Sequence, residues 1–354
     1  MTFTEYGKIQ TFDRLIAGCE KISIVSHVHP DGDAAGSTLA LREFLEKTKG
    51  RDATVILPDT LPETLAFIAD GVPSGRLLSG ASDPEGARQR ILDSDMVVCL
   101  DCNSFSRTGV LEESLRSFMK TKVLIDHHLS PESGSFDLVF SHTDVSSASE
   151  LLFYMLLGFP EVGGKAAGLP AFSASAMMTG MTTDTNNFAN SVFPSTLSMA
   201  SALLDAGVDR DAILSDLYNN YGENRMRLMG YMLYSNMKIT DDGLAFMVIR
   251  PDIVEEFSVR EGDTEGFVNL PLSIGRVKMS ILLRQDEGGY FRVSVRSRRG
   301  VSANACAMRY FHGGGHECAA GGRLFFPQDI ASHANAEEFL MKLSTDFFNA
   351  EGHE

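Results

Sequence analysis

"ISIVSHVHPDGDAAGS", residues 22–37, decides how this chain folds. Its first four residues form an apolar run that reads as a buried strand, and the small residues from Ala34 onward read as a helix. Between them His27, His29, Asp31 and Asp33 crowd a strand-to-helix turn. In open parallel sheets, ligands bind beyond the carboxyl ends of the strands, where such a turn lies. A helix N-cap accounts for one aspartate, Asp31 or Asp33, and for neither histidine.

The pattern repeats outward from there. Apolar strands are expected at 22–26, 53–57, 96–100 and 123–125, with a further one at 138–140, and helices at 34–48, 63–69, 84–92 and 111–119. Such alternation predicts β-α-β units, hence a mainly parallel sheet with helices on both faces. The strands end in polar residues: His27 to Asp33, Pro58-Asp59, Asp101-Cys102-Asn103 and Asp126-His127-His128. Parallel strands bring these endings to one edge. Residues 146–235 read as helices. From Asn236 the texture changes to short strands with hairpin signals at Asp242-Gly243 and Gly288-Gly289, then a helix near 336–348. The expected organisation is an α/β domain over 1–190, a helical connector over 191–235 and a smaller α+β domain over 236–354.

Composition narrows the function. A length of 354 residues suits two domains, and 44% apolar content is ordinary for a globular chain. No membrane span or signal-peptide layout is visible, so a cytoplasmic location is expected. Five cysteines fit reduced thiols. The pair Cys99 and Cys102 straddles a strand end with no second pair nearby, which suits packing better than redox or zinc chemistry. A net charge of −16 excludes a protein that grips long duplexes by neutralising phosphates. Yet from Arg276 to Arg309 eight basic residues face only Asp286 and Glu287. That segment reads as either a solvated strand face or a cradle for a short polyanion.

The opening cluster has the spacing of a metal site. His27, Asp31 and Asp33 stand at i, i+4 and i+6 across a turn stiffened by Pro30 and Gly32, so they could serve two adjacent ions. Asp101, with two carboxylate oxygens, could bridge them. His127 or His128 supplies nitrogen from the next strand, and Asp184 in "GMTTDTNNF" supplies a last carboxylate. Mixed histidine and aspartate ligands suit manganese, iron or magnesium.

These stretches together resemble the DHH phosphoesterases, of the oligoribonuclease and pAp (3′-phosphoadenosine 5′-phosphate) phosphatase type. "HVHPDGDAAGS", "VVCLDCNSFSRTG", "VLIDHHLS" and "GMTTDTNNF" match four family motifs in order. "RVSVRSRRGVSANACAMRYFHGGGHECAAGG" is similar to the DHH-associated domain. The resemblance implies one ion on His27, Asp31 and Asp101, and a second on Asp33, Asp101, His127 and Asp184. It makes Asp126 the carboxylate that orients a histidine, and His128 the residue that meets the scissile phosphate or protonates the leaving oxygen. His29 stands where that subgroup often has asparagine and is left outside the ligand set. Two metals about 3.5–4 Å apart suit phosphodiester hydrolysis; two Mn²⁺ ions are expected, with Mg²⁺ a possible substitute.

"FHGGGHECAAGG", residues 311–322, offers bare backbone N–H groups to a phosphate at Gly313, Gly314 and Gly315, with His316 to contact the anion. Arg296 and Ser297 are expected to point at the same spot. Asn304 is either a further contact or a helix cap, and Arg107 either reaches phosphate or forms a salt bridge. The expected substrates are short RNA oligonucleotides and mononucleotides such as pAp, with no membrane partner. The competing readings are a pyrophosphatase or exopolyphosphatase, a cyclic or linear dinucleotide phosphodiesterase, and an idle nucleotide-binding regulator. The sequence leaves oligomeric state open, a homodimer included.

Overall fold

The computed structural model describes residues 5–260, 262–286 and 288–351. Residues 1–4 of the N-terminal stretch, and Glu287 of the basic segment, therefore lie outside the described residues. The chain forms two compact units, Met1–Asn220 and Tyr221–Glu354.

In the first unit α1 (Tyr6–Ala17), β1 (Lys21–Val25), α2 (Gly32–Lys47), β2 (Asp52–Leu57), β3 (Leu77–Ser79), α3 (Pro84–Asp93), β4 (Met96–Leu100), α4 (Glu112–Ser117), β5 (Thr121–Asp126) and β6 (Leu138–Ser141) follow in order. Four helices then close the unit: α5 (Ala148–Leu157), α6 (Ala171–Asp184), α7 (Pro194–Asp205) and α8 (Arg210–Tyr218). The six strands lie in the order β3-β2-β1-β4-β5-β6, every neighbouring pair parallel. A parallel sheet needs cover on both faces, and its strands show it. Ile22, Ile24, Val55, Met96, Val98, Val123 and Ile125 pack into one core with α1, α2, α5, α6 and α7. Val25, Ile56, Val97, Cys99 and Leu124 pack into another with α3 and α4. Each fully buried apolar side chain of this kind contributes about 1.5–3 kcal/mol.

The chain leaves β1 for β2 on one side and returns to β4 on the other. The strand order therefore reverses between β1 and β4, the place where open parallel sheets bind ligands. The residues that follow these two strands include His27 and Asp101.

Some expected elements differ. Residues 63–69 form a 3-10 helix, and the stretch expected as one helix over 111–119 is a 3-10 segment, Phe105–Leu111, followed by α4, which stops at Ser117. Gly109, with φ +52°, kinks the 3-10 segment, and its missing Cβ leaves room for the Val28 side chain. The three-residue β3 carried too little apolar pattern to be foreseen.

The second unit contains α9 (Glu223–Tyr231), β7 (Lys238–Ile239), β8 (Leu244–Ile249), α10 (Pro251–Glu256), β9 (Met279–Asp286), β10 (Tyr290–Ser297), α11 (Ala303–Tyr310), β11 (Gly314–Gly315), β12 (Ala319–Phe325) and α12 (Ala336–Glu351). Its six strands form a mixed sheet in the order β11-β12-β10-β9-β8-β7. The expected hairpins are present: β7 pairs β8 across Gly243, φ +101°, and β9 pairs β10 in antiparallel register. Phe291, Val293, Val295 and Leu324 of this sheet share a core with Ala303, Ala307 and Leu340 of α11 and α12.

Candidate metal centre

Three overlapping groups of ligand atoms, each within 4.8 Å of one another, meet at the carboxyl ends of β1, β4 and β5. They are His27, Asp31 and Asp101; Asp33, His127 and Asp184; and Asp101, His127 and His128. The structure thus brings together every residue expected to hold metal. Asp101 belongs to two groups and so does His127.

Local structure explains how each arrives. Asp31 is the N-cap of α2: one carboxylate oxygen accepts hydrogen bonds from the Asp33 and Ala34 amides, 3.0 Å each. Capping and metal ligation are thus compatible in one side chain, because its second oxygen stays available. Asp33, fully buried in the first turn, accepts from the Ala148 and Ser149 amides at the N-terminus of α5, at 2.6 and 2.9 Å. Asp184 is the last residue of α6.

The three helices meet because glycines remove their side chains at the crossings. A Cβ at Gly36 would fall on the Ala176 carbonyl, and one at Gly180 would fall on Ser149 Oγ and crowd Asp33. Gly32 serves the same purpose. It has no positive φ, and a Cβ there would strike Thr183.

The electrostatics call for a cation. His27 Nδ1 donates to the Val28 carbonyl at 2.7 Å, which turns Nε2 toward Asp101 Oδ2, 3.3 Å away. Asp101 Oδ1 is buried without a hydrogen-bond partner, although His127 Nε2 lies 3.3 Å from it. Burial alone would raise the Asp101 carboxyl; the facing His127 and His27 outweigh it and hold it well below the usual carboxylate range. Asp33 is pushed up to about 7, by burial first and then by the charge of Asp101. Asp184 is raised well above its usual range, chiefly by burial. Burial works against a charged His127, but Asp101 and Asp184 push it up to about 10. Carboxylates this close and this dry share protons until a cation replaces them. An orphaned carboxylate oxygen among imidazole nitrogens fits a hard divalent ion with mixed nitrogen and oxygen ligands.

A pH dependence follows, and its sign is fixed. Asp33, Asp184 and His127 all hold protons above their ordinary pKa, and each must lose its proton to ligate. Metal affinity should therefore rise with pH, most steeply below about pH 7 and further up to about pH 10, with proton release on binding. Calorimetry in buffers of different ionisation enthalpy checks this; pH-independent uptake without proton release would remove these groups from the ligand set.

Asp126 is fully buried and clamps His128 twice, Oδ2 accepting from its backbone N–H at 3.0 Å and Oδ1 from Nδ1 at 2.9 Å. The ring's Nε2 is thereby left to act outward. His29 adopts φ +53° and is turned to Asp59, whose carboxylate accepts from the His29 amide at 2.6 Å. Its side chain is 56% exposed. Arg107 is half-buried and close enough for its charge to oppose protonation of His27. It makes no ion pair among the described residues, so the salt-bridge alternative is not what the structure shows. Cys99 and Cys102 are buried free thiols raised by burial, as packing residues should be.

In the second unit Gly313, Gly314 and Gly315 run into β11, and exposed His316 follows them. Asn304 does not cap α11; Ser302 does, accepting from the Ala305 amide at 3.1 Å. Asn304 Oδ1 instead accepts from the Gly315 amide at 2.9 Å and so pins the glycine loop to the helix. Arg296 and Ser297 do not point at one spot, because adjacent residues of a strand face opposite sides. Arg296 lies on the half-exposed face, whereas Ser297 is buried and donates to the Val301 carbonyl at 2.6 Å.

Comparison with known proteins agrees with this arrangement. The DHH family N-terminal domain matches residues 21–181, and the DHHA1 domain matches residues 242–343. The chain is 27% identical over 336 residues to the bifunctional oligoribonuclease and PAP phosphatase NrnA of Bacillus subtilis, covering 94% of this chain and 96% of that one. It is 32% identical over 306 residues to the protein of the same name from Thermus thermophilus, covering 86% and 84%. A crystal structure described as an exopolyphosphatase-related protein from Bacteroides fragilis superposes with a TM-score of 0.89 at 33% identity, covering 99% of each chain.

Proposed function

This chain belongs to the DHH family of phosphoesterases, and from that premise we propose that it is a two-metal hydrolase of very short oligoribonucleotides and of pAp. The observation that carries the reading is the chain of overlapping ligand sets, in which Asp101 joins His27 and Asp31 to His127, and His127 joins Asp33 and Asp184. On this reading His27, Asp31 and Asp101 would hold one ion, and Asp33, Asp101, His127 and Asp184 would hold the other. Two ions bound there supply Lewis acidity and an activated water for attack on a phosphodiester. The protein does the rest. Asp126 fixes the tautomer and aim of His128, whose Nε2 passes a proton to the leaving oxygen. Arg107 neutralises charge on the phosphate. The Gly313 amide is taken by the Ala307 carbonyl and the Gly315 amide by Asn304, which keeps the loop in shape, so His316 and Arg296 beside the loop hold a second anionic group of the substrate.

Manganese is the proposed ion, with magnesium able to replace it. The proposed division is a catalytic domain over 1–190, a connector over 191–235 and a substrate domain over 236–354. No helix among the described residues is long and apolar enough to cross a membrane. A cytoplasmic location, where short RNA and pAp arise and thiols stay reduced, fits the five cysteines.

The test is a rate series with Mn²⁺ at fixed, moderate salt. Hydrolysis should be fastest on about two to five nucleotides and slow on a strand of about 24, since an acidic surface penalises each further phosphate and long strands need extended stacking tracks. pAp should be hydrolysed and pyrophosphate spared. A rate that climbs steadily with length, or a preference for pyrophosphate, would overturn the reading.

A further inference from the structure

β10 alternates half-exposed and buried residues along its whole length, so Arg292, Ser294 and Arg296 share its open face. Strand register extends that face sideways. Arg292 stands opposite Arg284 on β9 and opposite Arg323 on β12, which sets three arginines in one row across three strands. The Ser294 row continues through Gly321 to Gly314 of the glycine loop. On the other side of the arginine row lies a row of Asp286, Tyr290 and Phe325.

The aromatic row is assembled as a platform. The Tyr290 and Phe325 ring centroids are 5.6 Å apart, and the Arg323 guanidinium carbon lies 5.2 Å from the Tyr290 centroid. The His312 ring is 5.6 Å from Phe325 and is held by Asp329 at 3.0 Å. Like charges directly opposite one another destabilise a sheet. Asp286 of the neighbouring row pairs with Arg292 at 3.1 Å, while Arg323 stays exposed. Four residues of strand separate Arg292 from Arg296, about 13 Å. A mononucleotide anchored at Arg296 does not span that distance to Arg292, whereas a longer strand does.

We propose that Arg284, Arg292 and Arg323 form a second phosphate site, and that Tyr290 and Phe325 stack the adjoining base of an oligoribonucleotide. This rests on the oligonucleotide reading above and adds what would distinguish an oligomer from pAp. Guanidinium groups grip phosphate, and aromatic faces stack any base, so the site is matched to single strands without regard to sequence.

The test uses the full-length, metal-loaded protein with two probes, a phosphorothioate analogue of pAp and a phosphorothioate pentaribonucleotide. Arg323→Ala should weaken pentanucleotide binding about tenfold relative to pAp. It should also lower the slope of log affinity against log salt by about 0.7 for the lost contact. Arg323→Lys should recover part of the loss, because it keeps the charge without the fork. An unchanged ratio overturns the proposal, as does an equal loss for both probes. A wild type that binds pAp but not the pentanucleotide overturns the arginine site alone; one that binds neither overturns the parent reading with it.

Discussion

Asp101→Ala should abolish turnover, by at least about 10³-fold, and leave the fold standing. Asp101 is common to two of the three ligand groups, so its removal undoes both proposed ions at once. Bound cations supply several kcal/mol of charge stabilisation at a phosphoryl centre, and about 1.4 kcal/mol corresponds to a tenfold change in rate. The residue sits past the end of β4 rather than in the apolar core, and it holds φ +53°, a left-handed conformation. Alanine there costs roughly 1–2 kcal/mol of backbone strain. Against this, removing the carboxylate relieves its repulsion of Asp33 and Asp184. Asp101→Asn tolerates the same backbone and isolates the charge. Metal content and thermal unfolding should be measured beside the rate. Near-wild-type turnover with unchanged metal would end the two-metal account.

The sequence exposed the parts of this molecule that depend on neighbours along the chain. Strand ends were legible because apolar runs of five or six residues stop abruptly at aspartate and histidine, as at Leu100-Asp101 and Ile125-Asp126. The ligand set was legible for the same reason. Features made by pairing between distant segments were not. The role of Gly32 depends on Thr183 of another helix, and the approach of α2 to α6 depends on Gly36 meeting Ala176. Arg284, Arg292 and Arg323 fall into one row only once the register of β9, β10 and β12 is known. Phe325 lies outside the basic segment, so its platform with Tyr290 could not be read from that segment. Ser297 was misjudged by a rule the sequence did contain: neighbours on a strand face opposite ways, so it could not share a target with Arg296. Asn304 was ambiguous because a helix start offers caps at more than one position, and Ser302 took that place.

His128→Ala should lower kcat by about 10²–10⁴-fold while both ions remain bound, the range expected when a positioned general acid is lost. The geometry supports that role over ligation. Asp126 occupies Nδ1 and the backbone amide of His128, a clamp that fixes the ring and directs Nε2 away from the buried carboxylate. The side chain is 18% exposed, against 10% for His127, so its working nitrogen is the more accessible to a substrate oxygen. Yet His128 also lies in a ligand group with Asp101 and His127, its Nδ1 3.5 Å from Asp101 Oδ1. Two measurements separate the roles. A ligand lost from the centre would release metal, whereas a proton donor would not. Leaving-group chemistry supplies the second: a substrate that expels p-nitrophenolate needs no proton on departure, so the His128→Ala defect should shrink toward wild type on that substrate alone. Asp126→Asn should show a smaller loss, about 10- to 100-fold, because the imidazole loses the carboxylate that aims it. If His128→Ala loses an ion, or is equally slow on both leaving groups, the proton-donor role fails and His128 belongs among the ligands.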